Sequence, residues 1–136
     1  MVEFALVFPL TLLLVIGILD FGKAINYFLD ETHVASTGAR FAVVDKNPGA
    51  GDGLSLQQYL KQRLLDTNEL SSNAQVCIDF TGDGAKVGEP VQVSVTYGYD
   101  WLPYLDDAVG ISSTNIKARA TMRLEQAPTA YEAGCA

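Results

Sequence analysis

The sequence predicts an α+β fold: a long N-terminal helix, first hydrophobic and then amphipathic, carrying a small head made of a second short helix and a three-stranded antiparallel sheet. Three observations lead there. An uncharged run, FALVFPLTLLLVIGIL, extends from Phe4 to Leu19 between Glu3 and Asp20. The pattern then stays helical, with one apolar side, to about Val44. Three later segments alternate apolar and polar residues with a period of two, which marks strands with one buried face.

The apolar run must be covered by lipid or by other protein. It falls just short of the roughly 18 residues that usually mark a spanning helix, and counting from Met1 gives a marginal span with one charge at its tip. Phe4, Leu6, Val7, Phe8, Leu10, Leu12, Leu13, Leu14, Val15, Ile16, Ile18 and Leu19 are the candidate membrane or bundle-core residues. No basic residue precedes the run, and Gly17-Ile18-Leu19-Asp20-Phe21 makes a poor cleavage junction, so the segment is expected to be retained. Pro9 removes a backbone donor and clashes with the preceding turn, so a kink or local unwinding is expected near residues 5–9. Such a break is tolerated where neighbouring helices satisfy the freed carbonyl.

Glu3 is an acid at the edge of this apolar run, a costly place for an unpaired carboxylate. Two readings stand. It is an interfacial acid lying among headgroups, or it forms a salt bridge with a free α-amino group, its own or that of the next copy. In the second reading it fixes axial register more than it adds stability.

Beyond Asp20, apolar and small residues recur at three- and four-residue steps: Phe21, Ile25, Phe28, Thr32, Ala35, Ala39 and Ala42. Lys23, Asn26, Asp30, His33 and Arg40 fall elsewhere on the wheel, so the first set is the expected head-facing stripe. At 1.5 Å per residue the whole helix would be about 65 Å long. Two regions follow: 1–20, a hydrophobic transmembrane or assembly segment, and 21–136, an α+β head that includes the amphipathic half of the helix.

Lys46-Asn47-Pro48-Gly49 ends the long helix. A short second helix is expected near Ser55–Thr67, with Leu56, Tyr59, Leu60, Arg63 and Leu64 as its stripe and Ser55 or Asp52 as its cap. The strands are Ala74–Phe80, Val91–Tyr99 and Ile116–Leu124. Their inward sets are Ala74, Val76, Ile78 and Phe80; Val91, Val93, Val95, Tyr97 and Tyr99; and Ile116, Ala118, Ala120, Met122 and Leu124. Thr81-Gly82-Asp83-Gly84 gives a hairpin-like turn signal. Gln126–Ala136 carries no helix or strand signal.

Cys77 and Cys135 are the two cysteines. Cys77 falls on the polar side of its strand, where a folded-back tail would meet it. A disulfide between Cys77 and Cys135 is expected, as suits an exported domain; the alternative is two unpaired thiols in a reducing cytosol. No C-x-x-C pair exists for a metal.

The net charge of −7, with nine scattered bases, argues against nucleic acid as a partner. Catalysis has little to stand on, and the chain is not expected to be an enzyme. The single histidine, His33, reads as an exposed helix residue. Asp79, Asp83 and Glu89, and likewise Asp106 and Asp107, lack the alternate spacing of a calcium loop and read as solvated turn acids. Gly82, Gly84 and Gly88 precede no helix and form no phosphate-binding loop. Trp101, Tyr97, Tyr99 and Tyr104 gather around Pro103, as a finish to the core or as an adhesive patch. No catalytic residue, metal or cofactor is assigned.

The N-terminal motif Val2-Glu3-Phe4-Ala5-Leu6, then Pro9-Leu10, then Ile18-Leu19-Asp20-Phe21-Gly22-Lys23-Ala24 and Gly38-Ala39-Arg40 resembles the start of TadE-like proteins. These are pilin-like components of tight-adherence (Tad/Flp) pili, a branch of the type IV pilus superfamily. Ala118-Arg119-Ala120-Thr121-Met122-Arg123 looks like the family's final strand. The resemblance implies a pilin-like spine, processing by a prepilin peptidase, Glu3 as the register-setting acid and Pro9 as a helix-weakening proline, with Phe4 beside them at the assembly site. Pilins usually have four residues before that acid; here there are two, which implies a processed chain shortened at its start. It implies a structural subunit of a surface filament, its partners being other copies, related pilin-like subunits, assembly-platform proteins and, before assembly, the inner membrane. The alternative is a single-pass, membrane-anchored accessory protein or minor pseudopilin that does not polymerise.

Overall fold

The computed structural model describes residues 2–65, 68–82, 84–101 and 113–136. Helix α1 (Val2–Val43) passes Pro9 without interruption. The expected unwinding near residues 5–9 is therefore absent: one lost donor does not end a helix whose flanking turns keep their bonds. A one-turn 3₁₀ segment (Ala50–Asp52) leads to α2 (Leu56–Tyr59), which continues as a π-helical turn over Leu60–Leu64. Ser55 is the cap. Its hydroxyl accepts from the Gln58 N–H at 3.2 Å while the Gln58 side chain accepts from the Ser55 N–H at 3.0 Å, a reciprocal capping box. A further helix, α3 (Asn68–Asn73), was not legible from the sequence.

The strands β1 (Gln75–Phe80), β2 (Pro90–Asp100), β3 (Ser113–Arg123) and β4 (Gly134–Cys135) form one antiparallel sheet in the order β3-β2-β1-β4. The predicted sheet thus gains a fourth strand from the tail. Register pairs Val76 with Val95 and Val95 with Ala118, so the inward sets of the three predicted strands coincide. Val76, Ile78, Val91, Val93, Val95 and Leu124 are fully or almost fully buried. Helix α1 covers β2 and β3 on that face, and Leu56, Leu60, Leu65 and Leu70 complete the core beside it.

The head-facing side of α1 is a correction. Ala35, Ala39 and Ala42 are buried as expected, but Phe21, Ile25 and Phe28 are 58%, 45% and 46% exposed, and Thr32 is exposed as well. The buried line runs Asp20, Ala24, Tyr27, Glu31, Val34 and Gly38. Small residues set this rotation. A Cβ on Gly38 would lie 2.7 Å from the Leu60 side chain and 3.2 Å from that of Val93, so the helix sits close against both. With 3.6 residues per turn, Phe21, Ile25 and Phe28 then fall roughly a quarter to a third of a turn to one side. The α2 region covers that flank higher up, but among the described residues nothing covers it beside Phe21.

The C-terminal segment closes the head. The last carbonyls of a helix have no partner within it. Here the Val43 carbonyl accepts from Glu125 and Gln126 N–H groups at 3.1 and 3.3 Å, and that of Phe41 from Lys46 N–H at 3.0 Å. The Tyr131 hydroxyl donates to the Ala42 carbonyl at 2.9 Å. The chain turns at Asp45, in the left-handed region with φ 50°, and the Asp45 carboxylate accepts from Thr129 N–H, Thr129 Oγ1 and Ala130 N–H at 2.8, 2.6 and 2.8 Å. Gln57 Nε2 holds the Glu132 carbonyl at 2.7 Å.

Candidate functional site: an exposed apolar helix joined to a folded head

Residues 4–15 of α1 are exposed all round, with Ile18 and Leu19. Phe4 is 71% exposed, Leu10 67% and Leu19 68%. Ile16 and Gly17 are half-buried, and Asp20 is buried, so the head begins to touch the helix where the apolar run ends. Of the residues assigned from sequence, all but Ile16 thus lie exposed on this segment, and none is absorbed into the head's core. A contiguous surface of this size and composition marks a site for lipid or for other protein. By length and composition α1 can cross a membrane.

Glu3 is exposed in the first turn, where a carboxylate is favoured by the helix dipole. Met1 lies outside the described residues, and with it the pairing of Glu3 to its own chain's amine. Pro9 is exposed, and the neighbouring Thr11 hydroxyl donates back to the Val7 and Phe8 carbonyls at 3.2 and 2.9 Å. Phe4 and Phe8 lie one turn apart with ring centroids 5.6 Å apart.

The junction is polar and aromatic. The Tyr99 hydroxyl donates to the Asp20 carboxylate. Lys23 Nζ lies 5.3 Å from the Tyr27 ring centroid and 6.0 Å from that of Tyr99, within the range of cation–π attraction. Tyr27 meets Tyr97 and Tyr99 edge-on, and Tyr99 meets Trp101. Tyr97 and Tyr99 of the predicted aromatic group are buried and finish the core; Pro103 and Tyr104 lie outside the described residues. Sequence reading missed this junction. Stepping back from Ala42 through Gly38, Ala35 and Glu31 to Tyr27, Ala24 and Asp20 would have found it, had small residues been weighted above large apolar ones.

Glu31 sits higher on the same face with no exposed surface, and neither carboxylate oxygen has a hydrogen-bond partner among the described residues. Burial pushes its carboxyl up to about 8, against a smaller downward pull from the Ala118 N–H. That N–H is already spoken for. Val76 and Ala136 exchange both backbone bonds, so by ladder alternation the Ala118 groups face β2. At Asp45 burial raises the carboxyl, but the bonds from Thr129 and Ala130 outweigh it and hold the group below its ordinary value. Tyr131 is pushed up to about 12 by burial and by the neighbouring Asp45 charge.

Cys77 and Cys135 are joined, 58 residues apart in sequence and directly opposite across β1 and β4. His33 is exposed on α1 and Asp79 on β1; Asp83, Asp106 and Asp107 lie outside the described residues.

A bare apolar helix beside a folded α+β head is compatible with membrane anchoring. Residues 1–40 match the model of a family described as TadE-like protein. No curated protein and no solved structure matches the chain. The matched stretch holds the whole apolar run and the junction through Gly38, and it supports a TadE-like, pilus-associated protein.

Proposed function

We propose that this chain is a structural subunit of an extracellular Tad/Flp-type pilus, a type IV-like filament used for surface attachment. It polymerises through residues 1–20 and carries its acidic head on the outside. The observation that supports this most directly is an apolar helix exposed on every side and continuous with a half that is docked on a sheet. Bundling such helices would bury their apolar surface at about 25 cal/mol per Å², and the disulfide-closed heads would then face an oxidising exterior. Glu3 would meet the α-amino group of a neighbouring copy and set the axial step. The role is structural, not enzymatic, and uses no cofactor or nucleic acid. Before assembly the same segment holds the chain in the inner membrane.

Cryo-electron microscopy of sheared surface filaments tests this. A helical core built from residues 1–40 of this chain supports the proposal. Filaments made of another protein, with this chain found only in the membrane fraction, would replace it with the anchored accessory role.

A further inference from the structure

The sheet has one protected edge and one open edge. On the protected side β4 pairs with β1 and is fastened by the Cys77–Cys135 bridge. On the other side is β3, eleven residues long, which pairs with β2 and lies under α1; among the described residues no strand pairs with its outer edge.

The ladder alternation that turns the Ala118 backbone toward β2 turns the N–H and C=O groups of Asn115, Lys117, Arg119, Thr121 and Arg123 outward. Those residues also place their side chains on the face away from α1, and all of them are exposed. One set of residues therefore carries both the unpaired backbone groups and three cations. Lys117, Arg119 and Arg123 have no carboxylate partner among the described residues, in a chain of net charge −7. Arg123 donates to the Gly88 carbonyl at 3.3 Å. Alternate residues on a strand are roughly 6.7 Å apart, so the cations form a row spanning about 20 Å.

This arrangement selects its occupant. Pairing with the β3 edge of a second copy would bring cations opposite cations, which is destabilising and is a known guard against edge-to-edge aggregation. A strand with acids at alternate positions meets no such barrier. Set antiparallel on this edge, it would exchange backbone bonds with Lys117, Arg119, Thr121 and Arg123 and place its carboxylates beside the three cations on the same face. We propose that the outer edge of β3 is a strand-addition site for an extended acidic segment of a partner protein.

The test uses the full chain in detergent micelles and a fluorescent ten-residue peptide alternating Glu with Thr or Val. Anisotropy should report binding that weakens with salt. Amide exchange at Lys117, Arg119, Thr121 and Arg123 should slow at least tenfold on saturation. A peptide with Lys in place of Glu should not bind, and a peptide with proline at the backbone-bonding positions should lose binding at least tenfold. The charge-reversed variant Lys117→Glu/Arg119→Glu/Arg123→Glu, checked for an unchanged melting temperature, should exchange these preferences and take the Lys peptide. If that variant does not fold, the proline peptide and the exchange data on the native chain decide. Absence of binding overturns the proposal. So does binding without slowed exchange at those four amides, or equal binding by the proline peptide, either of which means adsorption to charge alone.

Discussion

The hydroxyl of Tyr99 on β2 donates to the carboxylate of Asp20 on α1, a contact between residues 79 positions apart. Asp20 is the first charge after the apolar run, so this bond lies where the bare helix becomes the docked helix. A second contact from the same hydroxyl reaches the Asp20 carbonyl at 3.2 Å. One side chain of the sheet thus engages both the side chain and the backbone of the helix at the point where the surroundings change.

Tyr99→Phe keeps the ring and its contacts with Tyr27 and Trp101 but removes both bonds. The buried carboxylate then loses a donor, and a loss of about 1–3 kcal/mol is expected. Urea denaturation of the head, followed by tyrosine and tryptophan fluorescence, measures it. An unchanged midpoint would mean that the ring alone holds the junction.

The head's stability should fall as pH rises from about 4.5 to about 8, because Glu31 holds its proton in the folded state across that range and not in the unfolded chain. Below that range the carboxyl is protonated in both states and adds no cost. Above it the cost of burying the charge is complete, on the order of a few kcal/mol. Among the described residues the inward sets of β2 and β3, over which α1 lies, carry Tyr97 and Tyr99 as their ionisable groups. Glu31→Gln should flatten this slope in melting curves taken from pH 5 to 9 and raise the melting temperature most at the alkaline end.

Asp45 acts in the opposite sense. Its carboxyl is held below the ordinary value, so its contribution is present above the unfolded value of 3.8 and is lost as pH falls through the lower folded value. Asp45→Ala should destabilise the head at neutral pH and lessen its acid sensitivity below pH 4. Amide exchange at Thr129 and Ala130 reports this directly.

Cys77→Ser frees a loop of 58 residues and should cost about 4 kcal/mol in the chain-entropy view. Melting with and without reductant gives the comparison: wild type should fall to the variant's level, and the variant should not respond.

Glu3→Ala should leave the head's melting unchanged and stop or weaken filament assembly. Glu3 is exposed and far along the helix from the folded part, so a folding defect would not account for lost filaments. Normal filaments from this variant would remove the register role.

The strands were legible because Val91, Val93, Val95, Tyr97 and Tyr99 alternate with polar residues, and one buried face forces that period. The cap was legible only as Ser55 or Asp52; the reciprocal bonds between Ser55 and Gln58 decide for Ser55. The rotation of α1 was not. Hydrophobicity pointed to Phe21, Ile25 and Phe28, whereas close approach at Gly38 decided the face, and their exposure is allowed because the same chain already exposes Phe4 to Val15. Glu31 was invisible for a related reason, since nothing local tells a solvated glutamate from one enclosed by packing. The fourth strand is two residues long, too short for any period, and it is held to β1 by the Cys77 bridge and by the backbone bonds between Val76 and Ala136. The apolar run, Glu3 and Pro9 were plain in the sequence because they depend on composition and not on contacts.

The closing role of residues 125–136 sets an order of events. The end of α1 is made before residues 125–136, yet the Val43 carbonyl takes its donors from Glu125 and Gln126, the Ala42 carbonyl takes a second donor from Tyr131, and one edge of β1 is paired by Gly134 and Cys135. A chain stopped before residue 125 would lack the donors to the Val43 carbonyl, the strand that pairs with one edge of β1, and the partner of Cys77. Completion of the head is therefore tied to residues 125–136, and a product cut before them would be marked out by the unpaired thiol at Cys77.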